Sequence, residues 1–178
     1  QLNKKILIFG GESDIASSVI KKGYNTIFCP VKECDITVQR DITKALKKYK
    51  PSIVVNCAGI SNVQLVKNSD VKKWKQEIDV NLTGSYLIAR ECASLNVKTM
   101  IFIASVAGKY GKPEHSGYSA SKCAVISFVQ SLGLEGYDVY SISPGRVDTK
   151  MREKDYPGED KRTRLPREDV AEVVFDCI

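Results

Sequence analysis

Short, mostly apolar runs recur along this chain, each closed by a turn and each followed by a stretch of helical periodicity. Lys5-Ile-Leu-Ile-Phe9 ends in Gly10-Gly11, residues 53–57 end in Ala58-Gly59, and residues 139–143 end in Pro144-Gly145. A strand that is apolar at every position must be buried on both faces. Between these runs, residues 14–22, 37–50 and 118–132 read as helices, the second stopped at Pro51 and the third at Gly133. A longer helix is expected over 71–95 with a bend near Gly84, further strands over 25–29 and 99–103, and a last helix from Pro166, an allowed first-turn proline. Strands that alternate with helices of this length predict an α/β fold: a three-layer, doubly wound parallel sheet of Rossmann type with right-handed connections.

The 178 residues are the length of one domain, expected to span residues 1–178 without linker or repeat. Folding a chain of this size buries roughly 70% of its unfolded surface, so a packed core needs no staples. The single histidine, His115, excludes a multi-His metal site, and no metal is expected. The six cysteines at 29, 34, 57, 92, 123 and 177 include no C-x-x-C pair and read as reduced core thiols of a cytoplasmic protein. No apolar run approaches the 20 or so residues of a membrane span, and the start has no basic region followed by an apolar stretch. Gln1 stands where a Met would, and is expected not to be the native first residue. The net charge of +6 comes from lysines clustered at 44–50 and 67–75, which read as solvated helix faces. With only Trp74 and Tyr49 nearby, they do not make a nucleic-acid surface.

The turn Gly10-Gly11-Glu12-Ser13-Asp14-Ile15 joins a strand to a helix start, where backbone amides and the helix dipole favour a pyrophosphate. Only two glycines are present, so this turn alone is a weak motif. Tyr118 and Lys122 are four apart on a helix and share a face. An ammonium about 5 Å from a phenol, at an effective dielectric of 20, favours the phenolate by roughly 3 kcal/mol, and so draws Tyr118 toward the pH of proton exchange. Ser105 follows a strand thirteen residues before Tyr118, Asn56 closes another, and Asn81 stands in Asp79-Val80-Asn81. In a doubly wound sheet the strand C-termini share one edge, so Gly10, Asn56, Ser105 and Pro144 should meet in one crevice.

These pieces together resemble the short-chain dehydrogenase/reductase family, single-domain Ser-Tyr-Lys type. They are FGGESDIA, NCAG, the Asn81 of DVNLTG, the Ser105 of FIASVAG, YSASK from Tyr118 to Lys122, and SPGRVDT from Ser143, in the family's order over residues 6–149. The resemblance implies an NAD(P)-dependent oxidoreductase that moves a hydride between nicotinamide and a small carbonyl or alcohol substrate. It implies Tyr118 as general acid/base, Ser105 as its partner on the substrate oxygen, Lys122 as the ribose-binding residue that lowers the Tyr118 pKa, and Asn81 as holder of a relay water. It implies Gly10, Ser13 and Ile15 at the pyrophosphate, Asp35 beside the adenine, Asn56, Ala58 and Gly59 on the adenosine side, and Pro144, Gly145 and Val147 at the nicotinamide end. It also implies a homodimer or homotetramer, through the helices at 71–95 and 118–132.

Three departures bear on function. Asp14 and Ala16 stand where the family has glycines, and Asp14 is read as a helix cap facing away from the pyrophosphate. Cys29-Pro30 replaces the carboxylate that holds the ribose diol in NAD binders, while Lys32 could face a 2′-phosphate and Glu12 opposes it, for a slight lean to NADP over NAD. A helix and strand are compressed into residues 30–34, and the sequence stops at Ile178 inside a helix, so the last strand of the family sheet is expected to be lacking or not to show, either because the native chain continues or because this form lacks it. The charged stretch 150–164 reads as a surface loop, with a lid over an anionic substrate as the functional alternative. His115 reads as a surface-loop histidine. Two other functions remain open at this point: an epimerase or dehydratase that cycles hydride internally, and a non-catalytic nucleotide-binding module. A serine hydrolase lacks its G-x-S-x-G elbow.

Overall fold

The computed structural model describes residues 4–22 and 25–178. Five parallel strands form one sheet in the order β2-β1-β3-β4-β5. They are β1 (Ile6–Phe9), β2 (Thr26–Cys29), β3 (Ile53–Asn56), β4 (Thr99–Ile103) and β5 (Asp138–Ile142). The apolar runs are the central strands: every residue of β1, β3 and β4 is buried. Alternate side chains serve opposite faces, as strand geometry requires. Leu7, Phe9, Val54, Met100 and Phe102 join one core. Ile6, Ile8, Ile53, Val55 and Ile101 join the other.

The first core is closed by α2 (Gln39–Tyr49), α4 (Gly84–Ser94) and α5 (Ser116–Leu134), through Ile42, Leu46, Ile88, Cys92, Val125 and Val129. The second is closed by α1 (Asp14–Lys21) and α7 (Arg167–Asp176), through Ala16, Val19, Val170, Ala171 and Val174. This is the expected three-layer arrangement. The chain turns back at residues 30–34, where Pro30 O accepts from the amides of Glu33 and Cys34. Among the described residues β2 and β5 are the edge strands of the sheet.

The expected bend near Gly84 has a definite form. Helix α3 (Val71–Ile78) passes into a π-helical stretch, Asp79–Thr83, before α4 begins. One extra residue per turn rotates the chain there, and Asn81 within it is 1% exposed. The charged stretch is not a loop. It contains α6 (Lys150–Asp155) and a short 3-10 turn, Lys161–Thr163, held by Arg164. That side chain has no exposed surface and donates to Asp148, Glu153 and Glu159. Arg152 also pairs with Glu159, and Arg146 approaches it at 3.5 Å.

Candidate active site

The sheet order reverses direction between β1 and β3, and a cleft of about 610 Å³ opens where their C-terminal ends diverge. Gly10 leaves β1 with φ +72°, a left-handed conformation that favours glycine. A Cβ at that position would stand 2.5 Å from Ala58 Cα, so glycine lets the β1 turn lie against the end of β3. Ser13 caps α1 by accepting from the amide of Ala16 at 3.1 Å. Asp14, read from the sequence as the cap, instead accepts from Lys150 N (2.7 Å) and Arg167 (3.0 Å), tying α1 to the starts of α6 and α7.

Ser105 stands at the end of β4, where its hydroxyl accepts from Ala107 N at 3.1 Å and bonds the Tyr118 phenol. The following turn sits directly on α5: a Cβ on Gly108 would be 2.6 Å from the carbonyl carbon of Lys122. Tyr118 and Lys122 share one face of α5, and the Lys122 ammonium is 5.7 Å from the Tyr118 ring centre.

Twelve of the fourteen expected site residues line the cleft: Gly10, Ser13, Ile15, Asp35, Ala58, Gly59, Ser105, Tyr118, Lys122, Pro144, Gly145 and Val147. Asn56 and Asn81 lie behind its wall. Asn56 Oδ1 accepts from Ala58 N and its amide donates to Ser85. Asn81 Oδ1 accepts from Ile60 N, while its amide donates to Ile60 O and Ser121 Oγ, each at 3.0 Å. Ser121 in turn donates to Tyr118 O. The π-helical stretch therefore grips both the loop after β3 and the turn of α5 that carries the tyrosine.

The electrostatics depart from the simple Tyr–Lys pair. Burial pushes the Tyr118 phenol above its ordinary 10; the Ser105 hydrogen bond opposes it, and Asp155 and Glu77 add to it. Burial also pushes Lys122 down to about 8 from 10.5. The lysine turns its Nζ to Ile103 O at 2.8 Å. It is itself desolvated, and it does not draw the phenol toward neutrality. Both side chains are biased to their neutral forms.

Two further features of the cleft were not legible in the sequence. His115 is buried (4% exposed) and lines the cleft. It stacks on Tyr156 with ring centres 5.5 Å apart and meets Tyr118 edge-on at 6.2 Å. Asp155 and Tyr156 of the charged stretch line the same wall. At the other end, Glu12, Val31 and Asp35 line the cleft, whereas Lys32 is not among its lining residues. Asp35 accepts from both Thr37 N and Thr37 Oγ1.

A parallel sheet with a strand-end cleft, a glycine turn at its first crossover and a Ser–Tyr–Lys cluster beside it defines a Rossmann-type domain. The chain belongs to the short chain dehydrogenase family, whose pattern it matches over residues 4–160. It is 34% identical over 125 residues to a 3-oxoacyl-[acyl-carrier-protein] reductase of Synechocystis, covering 65% of this chain and 51% of that protein. It is 34% identical over 113 residues to human (3R)-3-hydroxyacyl-CoA dehydrogenase, covering 58% of this chain and 43% of that protein. The chain thus spans about half the length of these curated relatives. The NADP-bound structure of ElxO superposes with a TM-score of 0.81 at 20% identity, over 98% of this chain and 91% of that one. Among the described residues no helix is long and apolar enough to cross a membrane.

Proposed function

We propose that this chain carries the catalytic centre of an NAD(P)-dependent oxidoreductase that reduces a small carbonyl compound to its alcohol. The observation that carries the reading is the gathering of Ser105, Tyr118 and Lys122 at the edge of the strand-end cleft, with the Lys122 ammonium 5.7 Å from the Tyr118 ring centre.

The residues of the cleft fit a dinucleotide. Gly10 and Gly11 remove the Cβ atoms that would block the β1 turn, and Ser13 caps the start of α1, whose end lines the cleft. Ser13 and Ile15 would line the pyrophosphate, Ala58, Gly59 and Asp35 the adenosine half, and Pro144, Gly145 and Val147 the nicotinamide half. Such a cofactor supplies the hydride. The protein's part is the oxygen. Ser105 and Tyr118 donate hydrogen bonds to the substrate carbonyl, stabilise its developing negative charge, and Tyr118 gives up its proton. A phenol held above its ordinary pKa is protonated at neutral pH, which suits the reducing direction. Lys122 holds the ribose hydroxyls, and its easily lost proton resupplies Tyr118, with a water held by Asn81 as the path to solvent. The Asn81–Ser121 bond fixes the turn on which both groups stand.

NADPH is the favoured partner. Cys29 and Pro30 stand where a ribose-binding carboxylate would follow β2, and Asp35, which lines this end of the cleft beside Glu12, is turned back on Thr37. The NADP-bound state of ElxO, a protein of the same fold, agrees with this. Fluorescence titration with NADPH and NADH tests it, and tighter NADH binding would overturn it. Tyr118→Phe tests the chemistry: turnover should fall by orders of magnitude with NADPH affinity unchanged. Near-normal turnover in that variant would sink the reading.

A further inference from the structure

Beyond the reacting tyrosine, the cleft contains two buried polar atoms without a hydrogen-bond partner. They are Asp155 Oδ1 and Ser61 Oγ. Both residues line the cleft. The Asp155 side chain is 5% exposed and Ser61 is 3% exposed. Orphaned buried polar groups are rare and costly, and each calls for an explanation. Lys154 brings the two together: its ammonium donates to Ser61 O at 2.9 Å and stands 3.7 Å from Asp155 Oδ1.

His115 fixes where this pair lies relative to the chemistry. Its ring meets Tyr118 at 6.2 Å, and its Nε2 is 4.0 Å from Asp155 Oδ2. Nδ1 faces Pro113 O at 2.9 Å, and a carbonyl can only accept, so Nδ1 carries the proton. Nε2 is then the acceptor of the Tyr156 hydroxyl at 3.3 Å. In that state the imidazole offers Asp155 no proton. Asp155 Oδ1 is left without a hydrogen-bond partner in the wall of the cleft.

The chemistry of the pair selects its ligand. A carboxylate oxygen can only accept, and a serine hydroxyl can donate. A hydroxyl group can donate to the one and accept from the other. A purely apolar group would leave both atoms unpaired, at the cost of an orphaned buried polar group each. We infer that Asp155 and Ser61 form a specificity site for a substrate hydroxyl on a carbon other than the reacting one, so that the substrate is a hydroxylated carbonyl compound and not a purely apolar one. The inference rests on the hydride-transfer reading and names the substrate class for it.

The test uses the purified chain with NADPH and matched pairs of ketones: acetoin against butanone, hydroxyacetone against acetone, hydroxycyclohexanone against cyclohexanone. The readout is the ratio of kcat/KM within each pair, which general damage to the fold does not move. The wild-type protein should favour the hydroxylated member by about 10- to 100-fold, the size expected for a hydrogen bond to a charged partner. Asp155→Leu and Ser61→Ala should each bring the ratio near unity, and Asp155→Asn, which keeps an acceptor oxygen, should restore part of it. A wild-type ratio at or below unity, no turnover of either member while NADPH binds, or ratios unchanged in Asp155→Leu and Ser61→Ala would each overturn the inference. Tyr118→Phe separates the two failures. If that variant is inactive while the ratios are flat, the hydroxyl site is wrong and the hydride-transfer reading stands. If it keeps full turnover, the reading beneath has failed.

Discussion

Replacing Lys122 with methionine should abolish turnover and make the protein more stable at neutral pH. The lysine is held at about 8 against its ordinary 10.5 because burial disfavours its charged form. At about 1.4 kcal/mol for each tenfold, the folded protein carries roughly 3 kcal/mol of destabilisation at pH 7, where the group is charged. Methionine of similar length removes that charge but also removes the donor to Ile103 O, which costs about 1–2 kcal/mol. The net expectation is a gain of about 1–2 kcal/mol, or roughly 5 °C in Tm for a chain of this length. The pH dependence gives a second, independent sign. Because the lysine's pKa falls on folding, the unfolded chain holds more protons between about pH 8 and 10.5, so the wild type gains stability as pH rises through that window. Burial holds the Cys57 thiol up to about 12 against an ordinary 9, and Cys34 and Cys92 are raised further, which acts in the opposite direction. Cys34 and Cys92 are common to both proteins and cancel in the difference, while loss of the Lys122 charge raises Cys57 further, above the window measured. Urea unfolding of wild type and Lys122→Met at several pH values measures it. The advantage of the variant should shrink by about 3 kcal/mol from pH 8 to 10.5. A variant less stable at pH 7, or a difference flat across the window, would refute the reasoning.

Other outcomes follow from single contacts. Gly108→Ala puts a Cβ 2.6 Å from the α5 backbone; it should push the Ser105 turn off α5, lower Tm and cut turnover while NADPH still binds, as melting and titration will show. Arg164→Ala leaves Asp148, Glu153 and Glu159 without their shared partner, so cleavage by a Glu-specific protease at residues 153 and 159 should become much faster than in the wild type. Asn81→Ala removes the bonds to Ile60 and Ser121 and should lower kcat more than it raises the KM for NADPH, a split that steady-state kinetics will measure. Glu159 is held at about 2 by the hydrogen bonds of Arg152. Its pKa falls on folding, so its contribution is present above pH 4.5 and lost only toward pH 2; the 148–164 segment should stay protease-resistant at pH 4.

The central strands were legible because burial on both faces demands unbroken apolar runs, and β1, β3 and β4 are such runs in the bare sequence. The chemical cluster was legible because its groups sit at strand ends and at one helical spacing, which topology alone brings together. What escaped were features set by partners distant in sequence. His115 lies in a polar stretch, Lys112 to Gly117, and only the arrival of Tyr156 and Asp155 from α6 buries it. The 148–164 segment carries a loop's composition, but its charges are matched within the segment around Arg164, and pairing of that kind has no period to detect. Asp14 looked like a cap because it stands one residue from where the cap is; its actual partners, Lys150 and Arg167, lie at the far end of the chain. The Tyr118–Lys122 electrostatics were misjudged for the same reason, since spacing gives proximity but not burial.

The order of the sheet also sets how this chain must reach it. Every neighbouring pair of strands is parallel and joined by a crossover, so no hairpin is available to start the structure. Ile6 must find Ile53 before the second edge of β1 is covered, and Ile53 must find Thr99 before β3 is complete. Such pairings close long loops before they return any stabilisation, and domains dominated by them fold in about milliseconds to seconds, not microseconds. On a ribosome adding about 5–20 residues each second, the apolar strand that opens the sequence waits seconds with an edge exposed. The run Ile6–Phe9, buried on both faces once folded, is over that interval the segment most exposed to the wrong partner.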